Sequence, residues 1–167
     1  MDVQTMEAEW EAFVPKLEFA FESRLTLKPR LRIDDLPMGG ARLSVPVGAG
    51  TFEGPRLKGR VMSEGGEWPH VRTDDVFCFD ARYFLEEEDG TIIYLQNRGY
   101  RWGSPEVMER LWKLRPGDVV TPFEYYFRCT PIFECAPGRH DWLTKHVFVG
   151  VGARFEDGNR IRYFTVL

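Results

Sequence analysis

Apolar and polar residues alternate with period two along most of the chain, the mark of strands with one face buried. From Leu17 to Leu27 the odd positions read Leu, Phe, Phe, Ser, Leu, Leu. Residues 76–85 are apolar on both faces, except that Asp80 and Arg82 share one of them. The Asp89-Gly90 turn opens a hairpin whose second arm covers residues 91–98. Residues 124–134 and 145–155 read as two further strands, and residues 160–167 as the last, after the turn at Asp157-Gly158-Asn159. Shorter strands are expected over residues 42–47 and 56–62. This spacing of strands and turns suits a sandwich or a barrel. A single antiparallel, closed or nearly closed β-barrel, lipocalin-like in shape, best accommodates strands with polar and aromatic residues on both faces.

One short α-helix is predicted after Ser104, which can cap it, with Pro105 in the first helical position and Val107, Leu111 and Leu114 on one face. Arg115-Pro116-Gly117 ends it. A second short helix is expected around residues 6–13. Residues 1–15 read as an N-terminal extension and residues 16–167 as one barrel domain, because no repeat or low-complexity linker divides the chain.

Composition narrows the function classes. Phe, Tyr and Trp make up 14% of the 167 residues, and 16 Gly and 11 Pro accompany them, which suits short strands and turns. The net charge of −4 argues against a dedicated nucleic-acid binder. Arg supplies 17 of the 22 cations, a bias that suits carboxylate recognition or simply reflects genomic base composition. The acidic start lacks the basic and apolar regions of a secretory leader, and no apolar run approaches a membrane span. Cys78, Cys129 and Cys135 show no CxxC spacing, so the expectation is a soluble cytoplasmic protein with reduced thiols.

Several chemistries lack their motifs. Residues 48–54 (GAGTFEG) place the third glycine one residue late for a dinucleotide loop, and no helix pattern follows. No GxSxG elbow occurs, and the chain has only four serines. No zinc spacing joins His70, His140 and His146, although His140, Asp141 and His146 could converge on folding. No metal is expected.

Four clusters place charge or polarity where the pattern predicts burial. Glu53 stands in a glycine-flanked turn, which leaves room for close approach of backbone or ligand. Asp80 and Arg82 can form an ion pair or hold a polar ligand group. Tyr94 and Asn97, with Trp102 downstream, fall on opposite strand faces, so a regular strand turns only one of the two toward a cavity. On residues 125–134, Tyr126, Arg128, Thr130 and Glu134 share one face, and Tyr125, Phe127, Cys129 and Phe133 share the other. If the polar set points inward, it makes an aromatic-walled pocket with an anion-binding Arg and a carboxylate.

The segments 50–59 (GTFEGPRLKG), 80–83 (DARY), 89–97 (DGTIIYLQN), 126–134 (YFRCTPIFE) and 148–152 (FVGVG) together resemble a family of small bacterial and fungal β-barrel proteins. That family is catalogued as a domain of unknown function, and 4-hydroxylaminobenzoate lyase is identified with it. The resemblance runs from about residue 17 to residue 166. It implies an antiparallel barrel with a central cavity, assembly into homo-oligomers and no dedicated cofactor. It also singles out Glu53, Asp80, Arg82, Tyr94, Asn97, Arg128 and Glu134. Cys129, where Thr is commoner, and the acidic extension before Pro15 depart from the pattern.

The reading that follows is a cofactor-independent lyase, isomerase or cyclase acting on a small aromatic or conjugated metabolite by acid–base catalysis. Arg128 would anchor a carboxylate or stabilise developing charge, and Glu53 or Glu134 would move a proton. Tyr94 or Tyr126 would donate a hydroxyl, with Trp102 or Trp142 as stacking walls. Asp80, Arg82 and Asn97 would complete the binding site. Nucleic acid and membrane are not expected partners. The alternatives are a carrier that holds a ligand unaltered, and an oligomeric assembly factor that uses its aromatics as an interface.

Overall fold

In a computed structural model, which describes residues 3–10, 13–115 and 117–167, ten strands form one antiparallel sheet. They are β1 (Leu17–Leu27), β2 (Leu31–Ile33), β3 (Ala41–Glu53), β4 (Lys58–Glu67), β5 (His70–Val71), β6 (Phe77–Glu87), β7 (Ile92–Gly103), β8 (Tyr125–Cys135), β9 (Phe148–Arg154) and β10 (Gly158–Val166). Eight of them run in the order β1-β10-β9-β8-β7-β6-β4-β3, and pairing of β3 with β1 closes the ring. Closure leaves no long unpaired edge, which suits strands this rich in aromatics. The short β2 and β5 extend the upper end of β3.

β3, β4 and β7 run longer than the alternation indicates, whereas the strand expected over residues 145–155 covers only Phe148–Arg154, because a tight turn at Asp141–Thr144 feeds into it. β3 passes through Gly48 and Gly50 to Glu53, β4 continues past an irregularity between Val61 and Gly65, and β7 extends to Gly103. Glycines let the chain bend at close approaches while keeping its ladder. Two of them explain the Phe-Val-Gly-Val-Gly segment of β9. A Cβ at Gly152 would stand 2.6 Å from the Phe127 ring, and one at Gly150 would collide with the Cys129 sulfur. Glycines on β9 make room for the side chains of the neighbouring strand β8.

The helix α1 (Val3–Trp10) lies in the extension, with Glu11 and Ala12 of the anticipated helix outside the described residues. Helix α2 (Pro105–Trp112) starts as anticipated: the Val107 N–H donates to the Ser104 hydroxyl, and Pro105 sits in the first turn. It buries Met108 and Leu111, whereas Val107 and Leu114 are only half-buried. Trp112 packs edge-on against Phe77, so the helix covers the upper end of the barrel. Pro116, expected to stop the helix, lies outside the described residues.

The lower end is plugged. A 3-10 turn (Asp141–Thr144) inserts Trp142 and Leu143 against Phe148, and Phe133 lies 5.0 Å from Phe148, ring to ring. Phe21, Phe52, Phe133 and Tyr163 stack above this plug as an apolar layer. Among the described residues no helix is long and apolar enough to cross a membrane, a statement that does not extend to strands.

Candidate functional site

Above the aromatic layer the barrel interior turns polar. Tyr83, Tyr163, Asn97, Cys129 and Ser23 come from five strands and are all at least nine-tenths buried. The Asn97 amide donates to the Tyr163 hydroxyl at 3.1 Å, and the Tyr83 hydroxyl lies 3.5 Å from that of Tyr163. Burial pushes the Cys129 thiol up to about 12, which disfavours its thiolate, and raises both tyrosine hydroxyls. The Ser23 hydroxyl and the Asn97 side-chain carbonyl have no partner among the described residues.

A cavity of about 310 Å³ opens above this layer, under α2 and the β1–β2 loop. Leu27, Leu43, Val45, Phe77, Leu111 and Trp112 form its apolar walls. Glu67, Arg101, Arg154 and Asn159 supply the polar groups, while Lys28, Arg30 and Glu156 stand at its rim. A smaller void of about 20 Å³ continues downward between Glu67, Asn159, Asn97 and Tyr83. An apolar pocket with a few convergent polar groups is the usual form of a small-molecule site.

Alternation on the strands aims these groups inward. On β7 the buried positions are Ile93, Leu95, Asn97 and Arg101, at two-residue steps that pass through the half-buried Gly99. On β9, Arg154 has the same phase as Phe148, Gly150 and Gly152. Asn159 lies opposite Arg154 on β10. Glu67 ends β4, where it pairs with Val45 on one side and Ala81 on the other.

The electrostatics of this group are unlike those of the surface. Burial raises the Glu67 carboxyl from 4.5 to about 7, with Arg101 and Arg154 opposing the rise. Burial lowers the Arg101 guanidinium to about 10, the nearby Glu67 charge resisting and the Arg154 charge assisting, and it lowers Arg154 as well. Among the described residues none of the three has an ion-pair partner within 4.0 Å. Arg101 Nε, Arg154 Nη1 and Asn159 Oδ1 are buried and unpartnered. The Arg101 guanidinium instead lies over the Phe77 ring, 4.3 Å from its centre. Buried donors kept apart from a buried carboxylate are poised for a ligand rather than for one another.

Of the candidate site residues read from sequence, Asn97 alone lies in this interior. The polar face of β8 points outward: Tyr126, Arg128, Thr130 and Glu134 are exposed, and the apolar face fills the barrel. Burying Phe127 and Phe133 against facing aromatics is worth far more than burying a lone Arg and a carboxylate, which decides the orientation. Arg128 instead donates to the Phe127 carbonyl and lies over Tyr126, which stacks on Trp102 at 5.6 Å. Tyr94 is half-buried on the outer face against Phe84, in register with Glu134.

Asp80 and Arg82 are also on the outer face, where Asp80 accepts hydrogen bonds from Arg82, Gln96 and Arg98. Partial burial raises the Asp80 carboxyl, but these bonds outweigh it and hold the group below its ordinary value. Glu53 is three-quarters exposed, 3.9 Å from Lys58. Trp142 is buried in the lower plug beneath the Arg56 guanidinium, at the opposite end from the cavity.

His140 meets acidic partners other than those anticipated. Its Nε2–H donates to Asp89 at 3.0 Å, and Glu87 lies 3.7 Å away. His146 contacts the Trp142 carbonyl instead. Hydrogen bonds from Thr91 and then from His140 hold the Asp89 carboxyl well below its ordinary value. The His140, Asp89 and Glu87 donor atoms lie within 4.8 Å of one another at the plugged end, where they tie the Asp89-Gly90 turn to the 3-10 turn.

Sequence reasoning missed Glu67, Arg101, Arg154 and Asn159. Carrying the β7 alternation past Arg98 would have found Arg101, two steps beyond Asn97. Glu67 had no such signal, because the irregularity at Gly65 resets the phase of β4.

Comparison with known proteins matches residues 15–166 to the model of a family described as "Protein of unknown function (DUF3237)". The UPF0311 protein of Rhodopseudomonas palustris (strain TIE-1) is 33% identical over 118 residues, which cover 71% of this chain and 75% of the relative. A solved structure from Acinetobacter baumannii AYE, described as a beta-barrel like protein, superposes with a TM-score of 0.79 at 34% identity, over 92% of this chain and 97% of the other. An enzyme from Penicillium herquei shares the fold at 20% identity, with a TM-score of 0.67 over 92% and 95% of the two chains.

Proposed function

The chain belongs to the DUF3237 family, and from that premise we propose that it is a cofactor-independent enzyme performing acid–base chemistry on a small aromatic or conjugated metabolite in the upper cavity. The observation that carries this reading is Glu67: a buried carboxyl with a pKa of about 7, beside two arginines it does not touch. A group that is half protonated near neutral pH can both take and return a proton.

The roles given to Arg128, Glu53 and Glu134 on sequence grounds pass to cavity residues. The Glu67 carboxyl gives its proton to the substrate and then, as the carboxylate, takes a proton from a substrate carbon, while Arg101 and Arg154 hold the substrate's acid group and the charge that develops on it. Where the first proton lands on another carbon the result is an isomerisation, and where it lands on a departing group the result is an elimination. Tyr83 and Asn97 orient polar groups that reach the lower void, and Phe77 and Trp112 give the ring an aromatic wall to lie against.

The test is incubation of the protein with a panel of aromatic acids, including hydroxylamino acids such as 4-hydroxylaminobenzoate, with mass spectrometry of the products. One acid is expected to be consumed, and Glu67→Gln should lower that rate by about 10²–10⁴-fold. Undiminished turnover in Glu67→Gln overturns the assignment. A ligand recovered unaltered would make the barrel a carrier.

A further inference from the structure

We propose that the upper cavity recognises the carboxylate of a small aromatic acid between Arg101 and Arg154, and that Glu67 takes up a proton as the acid binds. The inference deepens the function proposed above and rests on it for the location of the site. It adds a ligand class and a coupling that do not depend on any reaction taking place.

Charge distribution is the first ground. The protein carries a net charge of −4, yet four cationic side chains, Lys28, Arg30, Arg101 and Arg154, line this one cavity against only two carboxylates. A local excess of cations in a low-dielectric cleft concentrates anions. Satisfaction of donors is the second. Arg101 is 93% buried, and its Nε, like Arg154 Nη1, meets no acceptor among the described residues. Planar guanidinium groups bind carboxylate oxygens with directed paired bonds, which a neutral ligand cannot accept as well. The third ground is shape. The cavity is about 310 Å³, and Phe77 and Trp112, packed edge-to-face, make one aromatic wall of it, so a substituted single ring fits beside them with its acid group toward the arginines.

The proton follows from the neighbours. Glu67 is faced by Arg101 from β7, Arg154 from β9 and Tyr83 from β6, with Lys28 and Arg30 on the β1–β2 loop and Glu156 beyond β9. Among the described residues, helix α2 contributes only Leu111 and Trp112 to the lining, and the segment after it contributes Leu114. In the free protein the two arginines are what oppose protonation of Glu67. An anion seated between them cancels that field and adds a like charge nearby, so the carboxyl takes up a proton. By reciprocity, deprotonation of Glu67 weakens anion binding.

The experiment is titration calorimetry of the full chain with benzoate at about pH 7.5, in triethanolamine and in Tris, cationic buffers whose ionisation enthalpies differ. Benzyl alcohol serves as the neutral probe. Benzoate should bind with a buffer-dependent heat corresponding to proton uptake, and its affinity should fall by up to about tenfold per pH unit above about pH 7. Glu67→Gln should bind benzoate with no buffer dependence and a flat pH profile, and Arg101→Met should lose most of the affinity. The wild-type pH series reads the same coupling if a variant fails to fold.

Absence of saturable benzoate binding, equal binding of benzyl alcohol, or a buffer-independent heat in the wild type each overturns the proposal. Proton-linked benzoate binding without conversion of any acid in the panel supports it while removing the catalytic reading. Conversion of an acid without proton-linked binding does the reverse.

Discussion

The two faces of β7 and β8 use the same residue types to opposite ends. Outside, Arg98 reaches Asp80 at 3.1 Å with three-fifths of its side chain in water, and Arg128 rests on Tyr126. Inside, Arg101 is almost wholly buried, rests on Phe77 and has no carboxylate within ion-pair distance among the described residues. An exposed cation that has found its partner contributes little and reports little. A buried cation kept from the nearest carboxylate costs stability, and such a cost is tolerated at sites that bind. The difference teaches that the chemistry of a barrel strand is read from which side a charge occupies, not from how many charges the strand carries.

The comparison is broken or sharpened most strongly by activity. Arg101→Met and Glu67→Gln should each reduce turnover of an identified substrate by about 10²–10⁴-fold, whereas Arg128→Met should leave it within about twofold. An equal loss in Arg128→Met would move the site to the outer face.

Stability against pH comes next. Because the Glu67 carboxyl sits at about 7 when folded and at 4.5 by default, the folded state holds this proton more tightly. The stability linked to it is full below about pH 4.5, is lost as pH rises through about 7, and then stays low. Glu67→Gln carries no such charge, so its advantage over the wild type should be absent in acid and grow to about 3 kcal/mol in mild base. Urea unfolding across that range measures it, and a constant difference would show that Glu67 is not buried as described.

Packing gives a smaller contrast. Gly152→Ala drives a methyl group toward the Phe127 ring and should cost about 1–3 kcal/mol, while Thr130→Ala on the outer face should change stability by less than about 0.5 kcal/mol. The smallest effect is expected at Asp80. Asp80→Asn leaves Arg82 and Arg98 hydrated, so its cost by denaturation should stay under about 1 kcal/mol and shrink with added salt.

Much of the fold was legible without coordinates. The first strand is the predicted segment, Leu17–Leu27, because apolar residues recur at its odd positions and Pro15 and Pro29 mark its ends, although a register shift between Phe19 and Phe21 interrupts the regular pairing. The Ser104 cap and Pro105 located α2 for reasons internal to that segment. The ends of β3, β4 and β7 were not legible. Each continues through glycine or an irregular register, where hydrophobic period carries no information and only the neighbouring strand maintains the ladder.

The site fared differently. The sequence by itself determined the two faces of β8, which residues share each, and that Tyr94 and Asn97 oppose one another, because period two follows from the pleat. It could not determine which face is interior, since both faces of β6 and β8 carry aromatics. Only closure of the ring decided that, by making the inside a finite volume filled by Phe79, Phe127, Phe133 and Tyr163 and leaving the charged face to water. Closure also brought Glu67 of β4, Arg101 of β7 and Arg154 of β9 to one cavity, although they lie far apart along the chain. Their shared burial, and with it their chemistry, is a property of the assembled barrel and of no single strand.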